Sequence, residues 1–166
     1  MTLAEIFAAE LKDEAAKTRK HLELIPEAHW GWKPHAKSMG MGQLGSHLVE
    51  SLGWTGAIVN MGEFAFDPAT FKPYMAANRK ELLARFDASV SEAQKNLKGK
   101  SDAHLSKVWR LKAGDKVFFE MPRAAVIRVM VLNHSVHHRA QLGVYLRLKD
   151  VAVPSTYGPS ADAPNM

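Results

Sequence analysis

The residues of this chain that could do chemistry gather in one short run, Leu132-Asn133-His134-Ser135-Val136-His137-His138-Arg139-Ala140-Gln141. Read as a helix at about 100° and 1.5 Å per residue, Ile127, Val131, His134, His138, Gln141, Tyr145 and Leu148 line one stripe. His134 and His138 are then one turn apart, and both imidazoles reach a single point in the interior. His137 lies about 100° round from His138 and faces a rim or solvent. Among eight histidines such a pair is unspecific, and two hydrogen-bonded core or surface histidines account for the spacing as well. Its company argues for more. Two histidines and a glutamine interrupt an otherwise apolar seam, where unpaired polar groups are costly. A third histidine, His47, sits on the apolar face of an earlier helical segment. Three neutral imidazoles from two helices are the donor set of an open divalent-metal site, with positions left for water or substrate.

Composition narrows the setting. The chain has 166 residues, enough for a single domain over 1–166. Hydrophobic residues make up 46% and charged residues 23%, which excludes a disordered chain. There is no cysteine, which removes disulfides, iron–sulfur clusters, thiolate nucleophiles and sulfur-ligated zinc. Any metal must be held by nitrogen and oxygen, and any thiol in the chemistry must come from outside. The net charge of +5 permits anionic partners without naming one. Glu5, Glu10, Asp13 and Glu14 arrive before any apolar stretch long enough for a signal segment. The most apolar run, Ala124 to Leu132, carries Arg128 and is too short to cross a bilayer. A soluble cytoplasmic protein with no membrane partner is expected.

Four helical patterns must position the histidines. The first opens with the capping box Thr2-x-x-Glu5, carries Leu3, Ile6, Phe7, Leu11, Leu22 and Ile25 at helical spacing, and ends at Pro26. A loop containing Trp30, Gly31, Trp32 and Pro34 follows. The second helix runs from about Met41 to Asn60, with Leu44, His47, Leu48, Ser51, Thr55 and Ile58 on one face. Its four glycines require tertiary support and let a neighbour come close. The third runs from about Pro73 to Leu97. Residues 98 to 121 read as a short helix or irregular crossover with Val117-Phe118-Phe119 extended, and the last helix spans about Pro122 to Leu148. The tail, with Pro154, Gly158, Pro159 and Pro164, is irregular. The expected class is all-α: a four-helix bundle with one long crossover.

These residues also carry a resemblance. Trp32-Lys33-Pro34, Leu44-Gly45-Ser46-His47-Leu48 and His134-x-x-x-His138-Arg139-Ala140-Gln141-Leu142 with Tyr145-Leu146-Arg147 occur in the order of one family's motifs, and Val153-Pro154 and Tyr157-Gly158-Pro159 extend the likeness to the tail. The sequence resembles the DinB/YfiT-like family of metal-dependent enzymes, unrelated to the polymerase that shares the name. The family's usual glycine is Ala140 here, a change of small for small. The resemblance implies that His47, His134 and His138 are the metal ligands, that the bundle runs up-down-down-up, and that homodimers are common. It further implies metal-dependent transfer or isomerisation with a low-molecular-weight thiol as cosubstrate, acting on a small-molecule substrate. Each ligand imidazole needs its other N–H oriented by an acceptor. Glu50, near His47, and Gln141, near His138, are the candidates, while Arg139 lies off the stripe, at a rim or in a salt bridge. Zinc, nickel, iron and manganese all accept such a donor set. A metal-binding stress-response module without catalysis is the alternative from a different class.

Other signals are set aside. Gly40-Met41-Gly42-Gln43-Leu44-Gly45 fits G-x-G-x-x-G but lacks the preceding strand of a dinucleotide site, so its glycines ease a turn and close packing. The basic run Lys95, Lys98, Lys100, Lys107, Arg110, Lys112 and Lys116, opposed by Asp102 and Asp115, reads as a solvated face rather than a nucleic-acid footprint. His21, His29, His35 and His104 are expected at the surface.

Overall fold

Thr2 and Glu5 satisfy each other's free backbone amides, and α1 (Leu3–Glu23) starts there. The computed structural model describes residues 1–164. α2 (Met41–Asn60) begins at Gly40, whose amide is met by the Gln43 side chain. α3 (Arg79–Leu97) begins later than the expected Pro73. The Asn78 side chain accepts from the Glu81 N–H at 2.9 Å, while the Glu81 carboxylate takes the Ala77 N–H at 3.0 Å, so the cap is fixed at Asn78. A short α4 (Asp102–Leu105) lies in the crossover. The last helix begins as α5 (Arg123–Val126), passes unbroken through a π-helical stretch (Ile127–Asn133), and continues as α6 (His134–Arg147).

Side-chain contacts fix the direction of each helix. Gln94 of α3 reaches Ala8 O near the start of α1, and Arg79 reaches Ile25 O beyond its end, so α1 and α3 are antiparallel. Ala76 N–H meets Ser46 near the start of α2 and Asn96 meets Asn60 at its end, so α2 and α3 are parallel. Arg128 pairs with Glu10, and Arg139 reaches Glu14 and Thr18, so the last helix runs with α1. The bundle is up-down-down-up. Its core is built by residues such as Leu11, Leu22, Leu48, Phe86, Val131 and Leu142.

The all-helical expectation needs one amendment. Strands β1 (Glu63–Ala65), β2 (Val108–Ala113) and β3 (Lys116–Pro122) form a small sheet, β1 parallel to β2 and β2 antiparallel to β3. Val117-Phe118-Phe119 is extended as expected, and lies in β3. Gly114, at φ +55, makes the tight turn that closes the β2–β3 hairpin. The tail after α6 is irregular but anchored: Arg147 pairs with Asp162, and Val153 N–H is accepted by Asp162 at 2.9 Å.

The glycines at the start of α2 serve packing. A Cβ on Gly42 would lie 2.3 Å from the Trp30 indole, and one on Gly45 would lie 2.9 Å from Ile25 Cδ1. Gly42→Ala is expected to destabilise the chain by about 1–2 kcal/mol, because displacing the indole outweighs the gain in helix propensity. A denaturant midpoint unchanged from wild type would show that Trp30 gives way freely.

Candidate metal centre

His47 is supplied by α2, and His134 and His138 by α6, at a place where these helices come close. Ser51 and Ser135, both buried, touch across the interface through their hydroxyls at 3.3 Å. The small side chains let the imidazoles meet. Ring centroids are 5.0 Å apart for His47 and His134, 4.7 Å for His47 and His138, and 4.4 Å for His134 and His138. One ring nitrogen from each lies within 4.8 Å of the other two. His137 is exposed, as expected.

Two of the rings are held from behind. His47 Nδ1 lies 3.2 Å from Glu50 Oε2, and His138 Nδ1 lies 2.7 Å from Gln141 Oε1. An imidazole donating from Nδ1 to an oxygen keeps a lone pair on Nε2, which is how metal-ligating histidines are oriented. His47 Nε2 accordingly faces His134 Nε2 at 2.8 Å. Burial pushes His134 down to about 4, with further depression from the neighbouring His138, His47 and His137. Burial also lowers His138, against the opposing Gln141 hydrogen bond. His134 and His138 are thereby kept in the neutral form that binds a metal.

The donor set fits a borderline divalent ion. Metal–nitrogen bonds of about 2.0–2.1 Å in tetrahedral geometry put ligand nitrogens about 3.4 Å apart, so the cluster needs only small ring adjustments. Among the described residues, no other group of His, Cys, Asp and Glu side chains converges in this way, and no fourth such side chain joins these three. An ion held by these three imidazoles would be left room for water or substrate.

The histidines stand at the edge of the core rather than inside it. The buried positions of α6 are Ser135, Arg139, Leu142, Tyr145 and Leu146; of these only Tyr145 is on the expected stripe, the other four lie one residue off it, and Gln141 and Leu148 are exposed. The cause is the π-helical stretch before His134. Its i→i+5 bonding takes up an extra residue per turn, so a strict helical period projected from Ile127 loses phase. Arg139 is in a salt bridge as expected, but a deeply buried one, 2.7 Å from Glu14. His21 is also buried, contrary to expectation, beside Gly143, where no side chain crowds its ring. His104 is partly covered and meets Arg123. In the basic run, Arg110 pairs with Glu120 and Lys112 with Glu63, carboxylates that lie close only once the sheet forms.

Two residues around the cluster, Trp54 and Tyr74, went unnoticed in the sequence. Trp54 is two turns beyond His47 and lays its indole 5.3 Å from His134 and 5.7 Å from His47. Tyr74 gives its N–H to Glu50 Oε1 at 3.3 Å, fixing the carboxylate that faces His47. Tyr157 bridges Glu14 and Arg139 with its hydroxyl. The Trp-Lys-Pro segment is structural, since Trp32 packs edge-on against Tyr145 at 5.7 Å and its carbonyl accepts from Met41 N–H.

The DinB family model matches residues 2–165. The chain belongs to the DinB family. Its fold is that of solved DinB-like proteins. One from Bacillus cereus superposes with a TM-score of 0.70 at 19% identity, covering 92% of this chain and 97% of that one. YjoA from Bacillus subtilis gives 0.67 at 18% identity, covering 96% and 99%. YfiT from Bacillus subtilis gives 0.65 at 15% identity, covering 90% and 89%, and is described as a probable metal-dependent hydrolase with an unusual four-helix bundle topology. At such identities the likeness establishes the fold. No curated protein matches the sequence. No described helix is long and apolar enough to cross a membrane.

Proposed function

We propose that His47, His134 and His138 hold one divalent ion and that this DinB-family chain is a metal-dependent enzyme. Its nucleophile is water or a low-molecular-weight thiol, and its second substrate is a small electrophile. The observation that carries the reading is the convergence of three imidazole nitrogens within 4.8 Å, with no fourth His, Cys, Asp or Glu donor joining them among the described residues. A bound divalent ion supplies Lewis acidity, lowering the pKa of a water or thiol toward neutrality. The chain's own residues do the positioning. Glu50 holds His47 in one tautomer, Gln141 holds His138, and Trp54 covers the cluster on one side against water. Water as nucleophile fits the description given to YfiT. A thiol has to be brought in, because the chain has no cysteine. A homodimer belongs to the same proposal and is read by sedimentation of the metal-loaded protein.

Metal analysis of freshly purified protein is the first test, with about one zinc, nickel, iron or manganese ion per chain expected. Loaded protein is then assayed with a thiol series against chlorodinitrobenzene and with activated esters for hydrolysis. Stoichiometric metal without turnover of either kind favours the non-catalytic module, and absence of metal defeats the site. Glu50→Gln is expected to weaken zinc affinity by about 10–100-fold, the usual effect of losing an outer partner, while the fold is kept. Competition against a chromogenic chelator measures it, and unchanged affinity would remove Glu50 from the site.

A further inference from the structure

An aromatic cavity of about 340 Å³ lies beside the histidines, between α2, the sheet and the π-helical stretch. Trp54, Phe64, Phe66, Phe71, Trp109 and Phe119 line it. The Trp109 indole N–H is spent on Ala57 O at 3.3 Å, and no charged side chain lines the space. A charged group entering it would lose its hydration without replacement. An apolar cavity of roughly 150 Å³ already binds benzene, so this one has room for a larger ring system.

Its position ties it to the histidines. Trp54 is a wall of the cavity and is also the indole packed against His47 and His134. Met130, another lining residue, sits one turn before His134. Phe71 stands at the rim, 45% exposed, and three residues later Tyr74 is hung on Glu50, the partner of His47. The cavity and the histidine cluster thus share one wall, the Trp54 indole. Gly53 lines the cavity at an exposed position, and a Cβ there would meet nothing within 4 Å, so a larger side chain has room to extend over the opening.

We propose that this cavity binds an apolar, aromatic-sized part of the small molecule whose reactive end is delivered to His47, His134 and His138. The substrate class is then an electrophile with an uncharged hydrophobic group set a few bonds from its reacting atom. The proposal rests on the metal reading given above, and its test separates the two. Gly53→Leu closes the mouth with a good helix former in open space. Its zinc content is expected to match wild type and its thermal unfolding to lie at or slightly above wild type.

In metal-free protein, toluene is expected to shift the amide resonances of residues around Trp54 and Trp109 in wild type and not in Gly53→Leu. In zinc-loaded protein, 3-phenylpropionohydroxamate is expected to bind roughly 10–100-fold more tightly than acetohydroxamate, the range set by burying one ring. That advantage should fall below about threefold in Gly53→Leu, with acetohydroxamate affinity unchanged. Absence of toluene binding, or an equal phenyl advantage in both proteins, overturns the proposal. Toluene binding without any zinc or hydroxamate binding refutes the metal reading and supports the cavity as a ligand site in its own right.

Discussion

Replacing His138 with alanine is expected to reduce zinc content from about one ion per chain to background, while replacing its neighbour His137 leaves it intact. The contrast isolates coordination from general effects of losing an imidazole in this helix. The two rings are only 4.8 Å apart, yet His137 points to solvent and His138 toward the other two histidines. Losing an outer partner already costs about 10–100-fold in affinity. Losing a direct ligand leaves two imidazoles and two open positions, so the loss should exceed that range. Stability gives an independent reading. An ion at about 1,000 times its Kd stabilises the folded chain by about 4 kcal/mol. For a chain of this size, that raises Tm by roughly 8–16 °C. Wild type and His137→Ala should show the shift, and His138→Ala should not. Equal metal content and equal shifts in all three would mean that the cluster is a set of hydrogen-bonded histidines, the reading that spacing alone leaves open.

The histidine cluster was legible because its signal is local. His134 and His138 are four apart on one helix, and His47 interrupts an apolar face, so two short patterns suffice. The exact face was not legible. A period of 3.6 assumes uniform bonding, and the π-helical turns before His134 break that assumption without any proline or glycine between Ile127 and Asn133 to announce it. The sheet was hidden for another reason. β1 is three residues long and pairs in parallel with a strand some way down the chain, Glu63 opposite Arg110, so nothing near Glu63 betrays it. The β2–β3 hairpin did carry a cue, since Trp109-Arg110-Leu111-Lys112 alternates before the Gly114-Asp115 turn. Trp54 shows what periodicity cannot weigh. Its spacing from His47 was available, but an aromatic two turns away reads equally well as core. Only the packing shows that it joins the histidines to the cavity.

Arg139→Met is expected to be the most destabilising single change outside the apolar core. Arg139 is 2% exposed and is satisfied entirely by the chain: Glu14 Oε2 at 2.7 Å, Glu14 O at 3.1 Å, Thr18 Oγ1 at 3.3 Å and Tyr157 Oη at 2.7 Å. These contacts join α1, α6 and the tail. Such a pair adds little over a well-packed apolar substitute, but removing one partner strands the other, at about 3–5 kcal/mol. That corresponds to a fall in Tm of roughly 6–20 °C. Acid supplies the check. Burial works to raise the Glu14 pKa, yet the hydrogen bonds from Tyr157 and Arg139 and the charge of Arg139 hold it below its ordinary 4.5. A carboxyl depressed in the folded state stabilises above its unfolded pKa and loses that contribution as pH falls through the folded value. The wild-type contribution is therefore full above about pH 5 and fades below 4.5. In Arg139→Met, burial without the guanidinium raises Glu14, which then protonates above pH 4.5 and relieves its cost, so the gap to wild type should begin to narrow above 4.5 and go on narrowing below it. Urea unfolding at pH 7 and pH 4 measures both quantities. A gap below about 1 kcal/mol at pH 7, or one that stays constant on acidification, would show that Glu14 and Arg139 are not coupled as their geometry requires.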